Sequence, residues 1–326
     1  MDFRTVIRVE PSEEKVGYGE RVLFAGSCFA GSIGMKMSQG KMPVMINPAG
    51  TVYNPVSVSA VIELIMNKRD LEEKDLSFND GEYLSFLHNT DFTSEDPQTL
   101  LKVINDRTRV AGEFIAGAKF LFITFGTARV YRRRDNGMIV SNCHRFPSSF
   151  FDNELLSPDD ITGLWKSTLD SLHKSLPSLK VVFTVSPVRH WKDGAHGNQV
   201  SKSVLFLAVE ELLSHPAVWG YFPAYELVMD DLRDYRFYDS DMLHLSPVAV
   251  DYVWDAFTGC FFEEKTMALW KEVMAVTKAR QHRLINVSRS GIEAFAKTML
   301  VKIEEIHKKE PLADLSADKD YFSSLI

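Results

Sequence analysis

Apolar residues along this chain fall into two kinds of run, short continuous ones and longer ones spaced by three and four. Residues 21–37 join the two kinds. Val22, Leu23 and Phe24 suit a buried parallel strand, while Phe29, Ile33 and Met37 recur at i, i+4 and i+8 on one helix face. Between them Gly26, Ser27 and Cys28 form a tight turn, Gly26 permitting a backbone that other residues would strain. The alternation then repeats. Strands are predicted at 44–46, 119–125, 179–185 and 219–222, and helices at 57–68, 96–118, 159–176, 200–213 and 248–258. This order predicts an α/β protein with a parallel sheet and helices on both faces. Residues 128–140 read as a hairpin around Asp135-Asn136-Gly137, and 71–95, polar and aromatic without a clear period, read as an insertion.

The pattern changes after residue 260. A main domain of residues 1–260 is expected, followed by a helical extension of 261–326 that packs on it or meets a second copy of the chain. The extension is broken at 286–291, and 308–326 has weak periodicity, as in a mobile tail ending in a docking segment.

Composition narrows the partners. The chain has 326 residues, 45% hydrophobic and 25% charged, with a formal net charge of −7, which gives no general attraction for nucleic acid or an anionic membrane. The opening residues lack the build of a signal peptide and no apolar run reaches the roughly 18 residues of a membrane span, so a cytoplasmic protein without membrane insertion is expected. Cys28, Cys143 and Cys260 are an odd number without metal-like spacing, which predicts free thiols.

Chemistry gathers at loops beyond strand ends, where ligands bind in such sheets. Ser27 or Cys28, at a helix N-terminus, has the surroundings of a nucleophile, because the unpaired N–H groups there favour negative charge. Asp241 and His244, three residues apart before a Pro-initiated helix, are spaced so that the carboxylate folds back on Nδ1 and orients the imidazole as a base. His144 and His190 are rival bases or substrate-positioning groups. Arg189 has the planar fork to hold an anion, and Cys143 beside His144 suggests a thiol–imidazole pair. Each has a plainer structural reading as a cap, a turn or a surface residue.

Several words of the sequence, FAGSCFA, NPAGTVYNP, FGTARVY, NCHRFP and VSPVRH, resemble the GSCFA family over about residues 22–253. The first turn together with Asp241-x-x-His244 is similar, more weakly, to the SGNH (GDSL-like) hydrolases. That resemblance implies a flavodoxin-like three-layer sheet and ester hydrolysis or acyl transfer without a metal or cofactor, on a small-molecule or carbohydrate ester. An ungapped match of Gly-Asp-Ser-Leu to residues 26–29 puts Cys28 at the nucleophile, and a shift of one restores Ser27. The third block, Gly-x-Asn, falls on Gly126-Thr127-Ala128, so its oxyanion asparagine is missing; Asn54 or Asn142 is a substitute, with Gly50 giving a backbone N–H. Two alternatives stand beside this reading. One is a metal-assisted hydrolase using His88, Asp91, His144 and His196, whose imidazoles and carboxylate suit zinc or manganese. The other is a binding module on the same fold that has lost catalysis.

Overall fold

The computed structural model describes residues 4–281 and 288–326. In chain order β1 (Arg21–Gly26) leads through Ser27 into α1 (Cys28–Gln39), then β2 (Val44–Ile46) and α2 (Pro55–Asn67). The short strands β3 (Ser77–Asn79), β4 (Glu82–Leu84) and β5 (Thr93–Ser94) precede α3 (Pro97–Ile115) and β6 (Ala118–Phe125). The strands β7 (Arg129–Arg133), β8 (Ile139–Val140) and β9 (Phe151–Leu155) come next, then α4 (Pro158–Ser175), β10 (Lys180–Val185), α5 (Gly194–Leu212) and β11 (Val218–Tyr221). One helical turn, α6 (Ala224–Glu226), runs into a π-helical segment at Leu227–Leu232, and α7 (Pro247–Phe261), α8 (Glu264–Gln281), α9 (Arg289–Lys309) and α10 (Ser316–Ser323) complete the described chain.

The main sheet has the order β2-β1-β6-β10-β11, with β1, β6, β10 and β11 paired in parallel. Counting only its five strands, this is the 2-1-3-4-5 order of a flavodoxin-like sheet. Ligands in such sheets sit where the winding reverses, here between β1 and β6. Alternation along the strands makes the layers. Leu23, Ala25, Leu121, Ile123, Val181 and Phe183 join one core with Val58 and Ile62 of α2, Trp165 of α4 and Leu205 of α5. Phe24 and Phe122 stack on the other face, where α1 comes so close that a Cβ on Gly34 would lie 3.3 Å from the Phe24 ring.

The expected insertion at 71–95 is itself structured, as the antiparallel sheet β3-β4-β5. The hairpin at 128–140 gains a third strand, β9, on the far edge of β7. Helix α5 begins six residues before the predicted start at residue 200, because a 3-10 turn at Trp191–Asp193 feeds directly into it.

The described residues divide into two compact units. The first comprises Met1–Val9, Arg21–Gly34 and Met45–Val253; the second comprises Glu10–Glu20, Met35–Val44 and Trp254–Ile326. Within the second, α8, α9 and α10 pack on one another, and Trp270 Nε1 donates to Lys36 O at 3.1 Å. The segment 308–326, expected to be a mobile tail, carries α10 instead. Its Phe322 is fully buried, and Asp318 is buried 3.6 Å from both Lys41 and Arg280. The break expected at 286–291 lies partly outside the described residues; on the described side α9 starts at Arg289 with Ser288 as its N-cap. No described helix is long and apolar enough to cross a membrane.

Candidate active site

The carboxyl ends of β1, β6 and β10 lie level, since Gly26 faces Thr124 and Val185 faces Phe125. Gly26 has φ +128°, and a Cβ there would lie 2.1 Å from Thr124 O, so only glycine fits. Its N–H donates to Asn47 Oδ1 at 2.9 Å, and the next N–H, of Ser27, donates to Thr124 O at 3.0 Å. Asn47 itself sits in the left-handed region, φ 42°, which asparagine tolerates. The Asn-Pro-Ala-Gly cluster thus forms a brace under the turn.

The turn separates its two nucleophile candidates. Ser27 is 2% exposed, whereas Cys28, the first residue of α1, is half-buried and its thiol lies 3.9 Å from the Tyr53 hydroxyl. Burial, reinforced by the neighbouring Cys28, holds the Tyr53 phenol above its ordinary range. The Tyr53 ring meets His190 edge-on at 5.3 Å, and His190 N–H donates to Asn198 Oδ1 at 2.9 Å. Burial, with help from the Lys202 cation and against the pull of Asp193, lowers the His190 pKa, which favours the neutral imidazole.

Tyr53 and His190 line a cavity of about 270 Å³ that also takes in Asn54, Thr127, Asn142 and Cys143. Burial raises the Cys143 pKa despite Lys192 on the same cavity wall. Arg129 reaches Asp193 across 3.6 Å there.

Lys202, which sequence reasoning passed over, anchors the floor. It is 1% exposed, and its ammonium donates to Gly126 O and Ser186 O, both at 2.6 Å, clasping the ends of β6 and β10. Burial, and secondarily Arg189, lowers its pKa from 10.5 to about 7. A signal existed, because Asn198, Ser201, Lys202 and Leu205 share the buried stripe of α5.

The backbone N–H groups at the expected oxyanion positions are otherwise engaged, whereas Asn54 and Asn142 commit their side-chain oxygens and not the Nδ2 donors that an oxyanion would use. Gly50 N–H donates to Asn47 O at 2.8 Å, and the N–H groups of Gly126 and Thr127 both donate to Tyr53 O, at 2.7 and 3.1 Å. Asn54 Oδ1 caps α2 through Ser57 N at 2.8 Å, and Asn142 Oδ1 accepts from His144 N at 2.8 Å. Asn54 and Asn142 still border the cavity. His144 does not. It is 4% exposed, its Nε2–H shared between Ser85 O and His88 O at 3.1 Å each, which makes it a clamp on that loop and separates it from Cys143 as a chemical pair.

Asp241 and His244 form the expected pair. His244 Nδ1–H donates to Asp241 Oδ2 at 2.6 Å, and Asp241 Oδ1 accepts the N–H groups of Leu243 and His244 at 2.8 and 2.9 Å. These bonds, His244 first, lower the Asp241 pKa to about 2. Both side chains are about half exposed, at 47% and 52%. With Nδ1 occupied, Nε2 is the nitrogen left to move a proton. Among the described residues no hydrogen bond joins His244 to Ser27 or Cys28.

The GSCFA family matches residues 21–257, nearly three quarters of the chain. The chain belongs to the GSCFA family. The GSCFA region starts at β1 and spans the Gly26–Cys28 turn, the cavity and the Asp241–His244 loop, ending within α7 before the helices α8, α9 and α10. No curated protein matches the chain. Within this GSCFA region the metal-assisted alternative finds no gathered ligands. Among the described residues no three His, Cys, Asp or Glu side chains are grouped to hold a metal ion; His88 and His144 are buried, and Asp91 is hydrogen-bonded to Asn89 at 2.8 Å.

Proposed function

We propose that this GSCFA protein is an SGNH-like acyl hydrolase or acyltransferase, with Cys28 as nucleophile, His244 as general base and Asp241 as its orienting group. The observation that carries the reading is the Nδ1–H bond of 2.6 Å from His244 to Asp241. It fixes the tautomer whose Nε2 accepts a proton. Cys28 is preferred to Ser27 because it is the more accessible of the two and begins α1. In the first step His244 Nε2 takes the thiol proton as Sγ bonds to the ester carbonyl carbon. The oxyanion forms beside the Cys28 and Phe29 N–H groups that open α1, the Ala30 N–H being taken by Ser27 O at 2.9 Å. Collapse expels the alkoxide, which takes the proton from His244 and leaves a thioester. Water, or an acceptor hydroxyl, then attacks the thioester with His244 again as base, and collapse breaks the C–S bond, the Cys28 thiolate recovering the proton from His244. The substrate is a small-molecule or carbohydrate ester. The steps require no cofactor.

A second reading, a binding module on the same fold, is favoured by one observation: Gly126 and Thr127 spend their N–H groups on Tyr53, and Ala128 stands where the third block has asparagine. Intact-mass labelling separates the two. Iodoacetamide is expected to alkylate Cys28 faster than Cys143 or Cys260, with the rate falling at least about tenfold in His244→Ala. A fluorophosphonate adduct abolished by Ser27→Ala moves the nucleophile to Ser27. Labelling by either reagent that ignores His244→Ala sinks the pair as catalytic machinery, and no selective labelling at all establishes the binding module.

A further inference from the structure

A second cavity, of about 300 Å³, opens on the other side of the loop that carries His190. That loop alternates, giving His190 and Lys192 to the first cavity and Arg189 and Trp191 to the second. Two arginines line the second cavity, and among the described residues neither has a carboxylate partner. Among the described residues the Arg189 guanidinium meets soft groups, the Met229 sulfur at 3.7 Å and the Trp191 ring at 5.8 Å. Arg233 has no ion-pair or side-chain hydrogen-bond partner among the described residues, and its backbone is held in the left-handed region, φ 41°, at the end of the π-helical segment. π-Helical turns recur at functional sites. The wall carries one carboxylate, Asp234, which already accepts the Arg236 N–H at 3.0 Å and faces the Arg236 guanidinium at 3.6 Å. Buried Lys202, near Arg189, donates to two backbone carbonyls and offers this cavity no counter-ion.

Apart from Val228 the rest of the wall is aromatic or thioether, with Trp191, Tyr235, Tyr238 and Met242 among its residues. Trp191 and Tyr235 are 47% and 75% exposed, large rings held in water beside unpaired cations. A planar guanidinium binds a carboxylate or phosphate through two parallel hydrogen bonds, and tyrosine or tryptophan faces receive a flat or apolar ring. We infer that this cavity binds a small ligand bearing a carboxylate or phosphate on a planar or apolar ring, the anion between Arg189 and Arg233 and the ring against Trp191 and Tyr235. The inference goes beyond acyl transfer and stands on binding alone. Met242, on this wall, lies between Asp241 and His244 in sequence, which joins the cavity to the loop of the proposed base.

The test is isothermal titration of the full chain with benzoate, phenyl phosphate, inorganic phosphate and the neutral benzyl alcohol. At least one ring anion is expected to bind about tenfold or more tightly than benzyl alcohol, and whichever binds tighter identifies the anion. Arg189→Gln and Arg233→Gln should each weaken it about tenfold, with Arg233→Lys recovering part of the loss. Tyr235 is exposed enough for Tyr235→Ala to fold normally, and that variant should weaken phenyl phosphate but not inorganic phosphate. Equal affinity for benzyl alcohol, parent affinity in both glutamine variants, or no binding of any probe at millimolar concentration overturns the site. Inorganic phosphate binding as tightly as phenyl phosphate overturns the ring half of it.

Discussion

The turn that carries Cys28 and the loop that carries His244 are built by opposite means. Around Cys28 the backbone is tied to distant strands and loops: Gly26 to Asn47, Ser27 to Thr124, and Gly126 to both Tyr53 and Lys202. Around His244 the bonds stay local, running from His244 to Asp241 and between Asp239 and His244, with both catalytic candidates half exposed. Substitutions that disturb the backbone ties of the first region should therefore unfold the protein before they say anything of chemistry. Those in the second should touch chemistry with little effect on folding.

Gly26→Ala tests the first half most severely. The new Cβ meets Thr124 O at 2.1 Å and the backbone at φ +128° disfavours any side chain. A loss of about 4 kcal/mol or outright failure to fold is expected from urea denaturation. A loss under about 1 kcal/mol would mean that the β1–β6 junction relaxes freely, and the contrast between the regions would be gone.

Lys202→Met comes next, because it leaves Gly126 O and Ser186 O without their buried donor; about 2 kcal/mol should be lost. The pH dependence sharpens this. In the unfolded chain the lysine keeps its proton to about 10.5, whereas in the fold it gives the proton up from about 7. Between those values the unfolded state binds more protons, so the parent's stability rises with pH, by up to about 1.4 kcal/mol per unit. Below pH 7 both forms are protonated and the slope vanishes. Lys202→Met should lack the rise; parallel curves would show that Lys202 stays charged in the fold.

How much of this was legible follows the range of the forces involved. The β1–α1 unit and the buried strands at 119–125 and 179–185 were readable because strand and helix periods are local. The Asp241–His244 pair was readable for the same reason, three residues being one turn apart. Lys202 was not, since its partners lie 76 and 16 residues away and its meaning depends on burial. That the Gly50 N–H is already taken is not legible in the sequence, because its acceptor, Asn47 O, is placed only by the folded loop. The structured insertion at 71–95 escaped because its strands are two or three residues long, too short to show a period.

Asn54 tests the boundary between the two regimes. It borders the cavity, yet its side chain caps α2 and it is buried. Asn54→Ala should cost about 1 kcal/mol, the usual cost of a lost cap, while Asn54→Ser, which restores the cap, should recover most of it. If labelling at Cys28 falls in both variants by the same factor, Asn54 serves the cavity as well as the helix.

Asp241→Asn is expected to have the smallest effect on the fold and is the sharpest test of the second region. The carboxylate is exposed and its bonds close within its own loop, so the melting temperature should stay within about 2 °C of the parent. Asparagine keeps the shape and can still accept the Leu243 and His244 N–H groups, but it no longer presents a carboxylate to Nδ1–H. The imidazole then loses the charge that stabilises its protonated form and the bond that selects its tautomer. Alkylation at Cys28 should therefore slow by about tenfold or more while the melt is unchanged. A melt lowered as far as in Lys202→Met would make the Asp241–His244 contact a structural clasp of the loop, and the two regions would then differ in exposure but not in purpose.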